Sequence, residues 1–219
     1  AGRGRSARRQ IETDASHRMS AAALEEALEA DLRDGIRPWL VVASGGTVDT
    51  GAIDPLLEIA ESCRKYGAWF HVDGAYGGLF ALCDEGRELL RGIEQADSVA
   101  LDPHKTLFLP YGTGAALVRE GRHLTEAFSA TAHYISPLGE SEVGPSPADL
   151  SPELTRHFRA MRLWLPLQIA GVAAFRAAQS EKLALARYFH ARLSELDGFD
   201  PGAAPGLSVV AFRFLPKAG

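Results

Sequence analysis

The chain has 219 residues, a formal net charge of −5 and a hydrophobic fraction of 46%. This length suits one large domain, or one domain and the beginning of another. The composition is typical of a globular protein, and the mildly acidic balance lacks the basic footprint of a nucleic-acid-binding protein.

The first residues, the longest apolar stretch and the cysteines indicate in which cellular compartment the protein is expected. No apolar block follows the arginine-rich first residues, so we expect no secretory signal there. The longest apolar stretch, residues 163–175, contains Pro166 and Gln168 and is too short to span a bilayer. Cys63 and Cys83 lack metal-ligand spacing, which favours reduced thiols in the cytoplasm. The arginine cluster is either a basic arm for an acidic partner or a solvated connection.

The first two predicted elements are a helix and a strand. Ser20 is placed to N-cap a helix that ends near Gly35. Residues 39–43 form a short, nearly all-apolar run that leads into a Ser-Gly-Gly-Thr segment ending at Thr47. Such runs are typical of strands in a parallel sheet that is covered on both faces.

A second helix and three further strands follow. Asp54 and Pro55 open the helix, with Pro at its first position, and Gly67 ends it. The candidate strands are residues 69–73, 98–102 and 115–119, and helical material at 85–91 links the first two. This alternation predicts right-handed crossovers and an α/β fold with a mostly parallel sheet.

The regular pattern ends after the last of these strands. Residues 128–149 have no periodicity, which indicates a functional or mobile loop. A helix is predicted from near Pro152, with an interruption at Pro166 and an end near Leu196. Residues 207–215 read as a final strand that has nothing to pair against.

Two polar clusters each follow a predicted strand. One is residues 71–78 (HVDGAYGG) and the other is residues 102–106 (DPHKT). Ligands of open α/β sheets bind at the carboxyl ends of strands, so both clusters lie where a site is expected. A single lysine after a strand is usually a surface residue, and a single aspartate there is usually a turn or cap residue. The combination of Asp73 with Lys105 is what indicates a site, because a carboxylate at a buried strand end requires a positive partner.

The sequence resembles the group II pyridoxal-phosphate (PLP)-dependent amino-acid decarboxylases, which have the aspartate-aminotransferase (type I) fold. The resemblance covers nearly the whole chain, and the separation of Asp73 from Lys105 also fits the family. The matching segments are VVASGGTVDTGAIDPL (41–56), HVDGAYGG (71–78), ADSVALDPHKTLFLPYGTGA (96–115) and SPELTRHFRAMRLWL (151–165).

This resemblance implies a domain organisation. Residues 1–150 would form part of the PLP-binding large domain, an α/β domain of the type I transferase fold with a mostly parallel sheet. A mobile loop would occupy residues 128–149 within it. Residues 151–219 would form connecting helices and the beginning of a small C-terminal α+β domain.

The resemblance also implies roles for individual residues. Lys105 would attach PLP as a Schiff base, for which desolvation and nearby positive charge favour the neutral amine. Asp73 would pair with the protonated pyridine nitrogen and keep it cationic, so that the ring accepts electrons from a broken Cα bond. Ala75 would pack on one face of the ring, and His104 would lie near the phosphate or the lysine. Thr47 would contact the cofactor through its hydroxyl.

Tyr134 lies in the segment without periodicity. It matches the loop tyrosine that is thought to protonate Cα in the family after carbon dioxide leaves, although a loop aromatic that packs on the surface is the other interpretation. A tyrosine there favours simple decarboxylation over an oxidative, aldehyde-forming reaction. The resemblance therefore implies decarboxylation of an L-amino acid, aromatic favoured, by a cytoplasmic homodimer with shared active sites.

Other interpretations stay open at this point. Transamination, elimination and oxidative deamination use the same lysine and aspartate, and a non-catalytic fragment or subunit is a further hypothesis. The family's ring-stacking histidine and phosphate loop precede the first strand and are not found, as in a fragment or one part of a split enzyme. His17 lies in a connecting segment and is interpreted as a surface residue. Asp102 lies where the phosphate is expected, which leaves its role undefined.

Overall fold

The structure is a computed structural model that describes residues 4, 7–128 and 146–216. The largest sheet in these ranges has four strands in the order β1-β2-β3-β4. The strands are β1 (Leu40–Ser44), β2 (Trp69–Asp73), β3 (Ser98–Leu101) and β4 (Ala115–Val118). β1, β2 and β3 are parallel and β4 is antiparallel to β3, so the prediction of an α/β fold with a mostly parallel sheet is confirmed.

Six α-helices accompany the sheet in the described ranges. They are α1 (Ala21–Arg33), α2 (Leu56–Tyr66), α3 (Asp84–Leu89), α4 (Pro103–Thr106), α5 (Arg122–Phe128) and α6 (Arg159–Ser194). Only the single turn α4 lies between β3 and β4. A parallel connection needs a full crossover, which one turn does not supply, so the chain returns antiparallel.

The first two helices begin and end where local chemistry places them. The hydroxyl of Ser20 accepts a hydrogen bond from the amide of Ala23 at 3.2 Å, which caps α1 as predicted. Gly67 ends α2 in the left-handed conformation, with φ 67°. Pro55 is the N-cap of α2 and not its first helical residue, so the helix begins one residue later than predicted.

One face of the sheet carries the core. The side chains that alternate inward on β1 and β2 pack with α1 and α2, and they are Val41, Ala43, Phe70 and Val72. On the other face Val42 is 49% exposed, so the prediction that β1 is covered on both faces is wrong for the described residues. Both helices lie on the same side of the sheet and cannot cover the two faces together.

The long helix α6 differs from its prediction at two points. It begins at Arg159 and not near Pro152, and it continues through Pro166. The interruption is at Gly171, which has φ 76° and ψ 153° inside the helix. Only glycine adopts this conformation without steric cost, so the helix breaks there and not at the proline.

The C-terminal residues also depart from the predicted strand 207–215. Only β6 (Arg213–Phe214) is a strand, and it pairs antiparallel with β5 (Phe199–Asp200), so the prediction of an unpaired strand is wrong. Leu207 is buried in the main core instead. This residue leaves the strand pattern because it packs against the loops that follow β1 and β2.

Candidate cofactor site

The loops after β2 and β3 meet at the carboxyl edge of the sheet. Asp73 ends β2 and lies opposite Ala100 of β3 in the parallel register. The amide of Gly74 donates to the carbonyl of Ala100 at 3.0 Å, and the amide of Asp102 donates to the carbonyl of Ala75 at 3.2 Å. The structure therefore brings the loop that carries Asp73 next to the turn that carries Lys105, as the sequence predicts.

Lys105 lies on the single turn α4. Pro103 occupies the first position of this turn, and the amide of Lys105 donates to the carbonyl of Asp102 at 2.9 Å. The ammonium of Lys105 forms an ion pair with the Asp102 carboxylate at 2.9 Å, and 38% of the Lys105 side chain is exposed. The described residues thus surround this lysine with a carboxylate and solvent, in contrast to the desolvated, positive surroundings expected of a Schiff-base lysine.

Asp73 presents an accessible carboxylate. Its side chain is exposed, and one carboxylate oxygen accepts a hydrogen bond from the amide of Ala75 at 3.1 Å. Within the described ranges no cationic side chain pairs with it. A carboxylate held in this way is suited to a cationic N–H group of a ligand.

His104 is oriented by the loop that leads to β4. Its Nδ1 lies 3.0 Å from the carbonyl oxygen of Thr113, and its ring is tilted on Tyr111 with centroids 5.4 Å apart. A carbonyl only accepts, so Nδ1 carries the proton and Nε2 is left as an acceptor in the neutral ring.

Thr47 closes the loop after β1. Its hydroxyl lies 2.8 Å from the hydroxyl of Thr50 and accepts from the amide of Ala52 at 3.0 Å. This internal role is additional to the cofactor contact that the resemblance implies, and the sequence pattern did not predict it.

The glycines of the β2 loop serve close backbone approach. A Cβ at Gly77 would lie 2.0 Å from the carbonyl oxygen of Gly45 and 2.6 Å from a methyl group of Leu207. Tyr76 joins the same region, because its hydroxyl lies 2.7 Å from the hydroxyl of Ser208. Burial raises the pKa of Tyr76, so the phenol stays protonated. Neither contact was predicted from the sequence.

Two predicted features lie elsewhere. Tyr134, with most of the predicted loop 128–149, falls outside the described residues. His17 is exposed, in keeping with its surface interpretation, and has a left-handed φ of 61°. It lines a cavity of about 670 Å³ together with some of the residues in segments 50–53 and 200–213, and none of the five described site residues lines that cavity.

Comparison with solved structures assigns the class of protein. A rice (Oryza sativa) enzyme solved as "TDC with PLP and tryptamine" is 30% identical and superposes with a TM-score of 0.89 over 94% of this chain and 43% of its own. The α/β sheet with Asp73 and Lys105 at its carboxyl edge is therefore that of a PLP-dependent enzyme of fold type I. The chain belongs to the pyridoxal-dependent decarboxylase family, whose conserved-domain model matches residues 4–215.

Curated relatives agree with this assignment. The aromatic-L-amino-acid decarboxylase of Bacillus atrophaeus is 37% identical over 212 residues, which are 94% of this chain and 43% of the relative. The acidic amino acid decarboxylase of Bos taurus is 33% identical over 95% of this chain and 40% of the relative. The chain thus spans less than half the length of these relatives.

The chemistry of the described residues fits PLP, the cofactor of this family. The accessible Asp73 carboxylate suits the ring N–H, the Lys105 amine suits the aldehyde, and the small Ala75 lies beside Asp73 where a flat ring needs room. The roles of the five described site residues stay predictions. No helix in the described part of the chain is long and apolar enough to cross a membrane.

Proposed function

We propose that the protein decarboxylates an L-amino acid, aromatic favoured, to the amine and carbon dioxide, with PLP as cofactor. The observation that carries the proposal is the approach of the Asp73 loop to the Lys105 turn at the carboxyl edge of β2 and β3. The aromatic-L-amino-acid, tyrosine and tryptophan decarboxylases among the relatives support the choice of substrate class.

The proposed mechanism divides the work among a few side chains. When bound, PLP supplies an electron-accepting ring that stabilises the charge left by the departing carboxylate. Asp73 would accept a hydrogen bond from the ring N–H and keep that nitrogen protonated. Lys105 would hold the cofactor through Nζ, for which its amine must be neutral and released from the Asp102 carboxylate.

The remaining predicted residues orient the cofactor and supply a proton to the substrate. Ala75 leaves space for the ring, His104 offers Nε2 to the phosphate side or the lysine, and the Thr47 hydroxyl contacts the cofactor. Tyr134 returns a proton to Cα after carbon dioxide departs. These assignments rest on the family resemblance together with the loop positions described above.

We also propose a homodimer with shared active sites. An apolar stripe on the first half of α6 supports it, because these side chains follow helical spacing and stay exposed in one copy. Its members are Met161, Leu165 and Ile169, which are 38%, 45% and 78% exposed. The proposed location is the cytoplasm, in keeping with the buried free thiols Cys63 and Cys83. The division into two domains near residue 150 stays a prediction.

The function is tested by removing the lysine and the aspartate separately in the full-length protein. Lys105→Ala should abolish the covalent attachment of PLP, measured by borohydride trapping and mass spectrometry. Asp73→Asn should retain attachment but lower kcat by roughly 100-fold or more, because a neutral amide no longer holds the ring nitrogen cationic. Lys65→Ala is the matched control, since Lys65 pairs with Glu25 on the surface.

Product analysis separates the reaction types. Amine and carbon dioxide from an aromatic amino acid support the proposal, whereas a keto acid or an aldehyde as main product identifies transamination, elimination or oxidative deamination. A wild-type protein that attaches no PLP would instead favour a non-catalytic fragment or subunit. Borohydride trapping of PLP on a lysine other than Lys105 would contradict the site assignment.

A further inference from the structure

Lys182 of α6 is a lysine that the predicted mechanism does not use. Its ammonium donates to the carbonyl oxygen of Thr106 at 2.7 Å and lies 3.8 Å from the centroid of the Phe108 ring. The side chain is half-buried, and this burial lowers the pKa of Lys182. In the described ranges no carboxylate forms an ion pair with it, so its contacts are with a carbonyl and a ring.

A second donor from the same helix reaches the same carbonyl. Gln179 is fully buried, and its side-chain amide donates to the Thr106 carbonyl at 2.7 Å. Thr106 is the last residue of α4 and directly follows Lys105. Carbonyls at helix ends have no partner within the helix, so α6 supplies both hydrogen bonds that fix the end of this turn.

Phe108, the second residue after the turn, is held in a strained conformation. Phe108 has φ 59°, in the left-handed region that bulky residues rarely adopt. Such strain persists where the surroundings enforce it. Leu107 is buried beside it, and the Phe108 ring packs against the Lys182 ammonium, so the backbone at this point has little freedom.

The other half of α6 holds the far side of the same segment. Arg162, which precedes the break at Gly171, donates to the carbonyl oxygen of Tyr111 at 3.0 Å. The two halves of α6 therefore hold the polypeptide at Thr106 and at Tyr111. Lys105 directly precedes Thr106 and His104 packs on Tyr111, so each predicted cofactor-binding residue of α4 adjoins one of these attachments.

We propose that Lys182, together with Gln179, is a positioning residue that fixes the turn carrying Lys105, so that the Lys105 amine meets its cofactor in one orientation. This inference rests on the proposed function, because it assigns the purpose of the turn to cofactor attachment. Lys182 itself touches neither cofactor nor substrate and acts through the Thr106 carbonyl.

The test compares Lys182→Met with Lys182→Arg in the full-length protein. Methionine keeps the apolar length but donates no hydrogen bond, whereas arginine retains a cationic donor. In cofactor-free protein, hydrogen exchange of the amides of residues 104–108 should accelerate about tenfold or more in Lys182→Met. Peptides from β1 and β2 should exchange at the wild-type rate, and Lys182→Arg should stay within about threefold of wild type. Lys65→Met is the surface control and should change nothing.

A second readout follows the cofactor. Lys182→Met should slow the covalent attachment of PLP about tenfold and lower kcat with little change in KM, because the amine is misplaced while the substrate pocket is intact. If the amides of residues 104–108 exchange at the wild-type rate in Lys182→Met, the proposal is overturned. Equal acceleration in β1 and β2, or an arginine variant as impaired as the methionine variant, would also overturn it.

Failure of the proposed function and failure of the positioning role would give different results. Absence of PLP attachment in the wild-type protein would refute the proposed function and, with it, the purpose assigned to the turn. Normal attachment in Lys182→Met would refute only the positioning role.

Discussion

Asp54 shows how one buried carboxylate orders three stretches of backbone. The residue is 7% exposed, and its two oxygens accept hydrogen bonds from the amides of Met19 and Ser44, each at 2.7 Å. It precedes α2, while Met19 precedes α1 and Ser44 ends β1. Asp54 therefore ties the start of both helices to the strand end that leads into the Thr47 loop. The sequence marked it only as a helix opener.

Removal of this carboxylate should cost substantial stability. Asp54→Ala leaves two half-buried amides without acceptors, and we expect the free energy of unfolding to fall by about 2–4 kcal/mol. The free energy of unfolding of Asp54→Asn should lie between the values for Asp54→Ala and wild type, because an amide side chain offers only one acceptor oxygen. Urea unfolding followed by circular dichroism measures both. Asp49→Ala on the exposed part of the same loop is the control, and an equal loss there would contradict the assignment.

The loops after β1 and β2 form a unit because their backbones touch. Gly77 and Gly45 approach so closely that no side chain fits between them, and Leu207 fills the remaining space. The amide of Gly45 also donates to the carbonyl of Asp73 at 2.8 Å. The positions of Thr47 and Asp73 are thus set by one packed contact between two loops.

An added methyl group should separate these loops. Gly77→Ala places Cβ 2.0 Å from the Gly45 carbonyl oxygen, so the backbone must shift. We expect a loss of about 1–3 kcal/mol in the free energy of unfolding and slower PLP attachment, as measured by thermal melts and borohydride trapping. Gly121→Ala is the matched control, since its Cβ meets nothing within 4 Å. If Gly77→Ala and Gly121→Ala are equally stable, the contact between the two loops is looser than described.

The apolar stripe of α6 concerns the assembly of the protein. Ile169 is its most exposed member, at 78%, and a charge at this position cannot be buried against a second copy without a large desolvation cost. We expect Ile169→Glu to convert a dimer to a monomer in analytical ultracentrifugation. Leu196→Glu, a change at a half-exposed leucine beyond the end of α6, should remain dimeric. If Ile169→Glu is still a dimer, the stripe is not the interface.

Much of the sheet follows from local pattern. Residues 69–73 form β2 as predicted, β3 and β4 each end one residue earlier than predicted, and β1 is shifted by one residue at both ends. The predicted break of α6 at Pro166 was wrong. The helix continues through this proline despite its missing N–H, and the conformation of Gly171 interrupts it instead. The direction of β4 was not predicted, since strand direction depends on the connection and not on the strand residues.

The sequence alone determined the strands, the N-cap of α1 and the C-cap of α2, the family, and the placement of Asp73 and Lys105 at one edge of the sheet. These follow from periodicity, capping and motif spacing, which are properties of residues close together in the chain. Only the tertiary structure decided that Gly77 meets Gly45, that Asp102 pairs with Lys105 and that Lys182 holds the Thr106 carbonyl. Such contacts depend on the path of the folded backbone and the direction of each side chain, which no local pattern encodes.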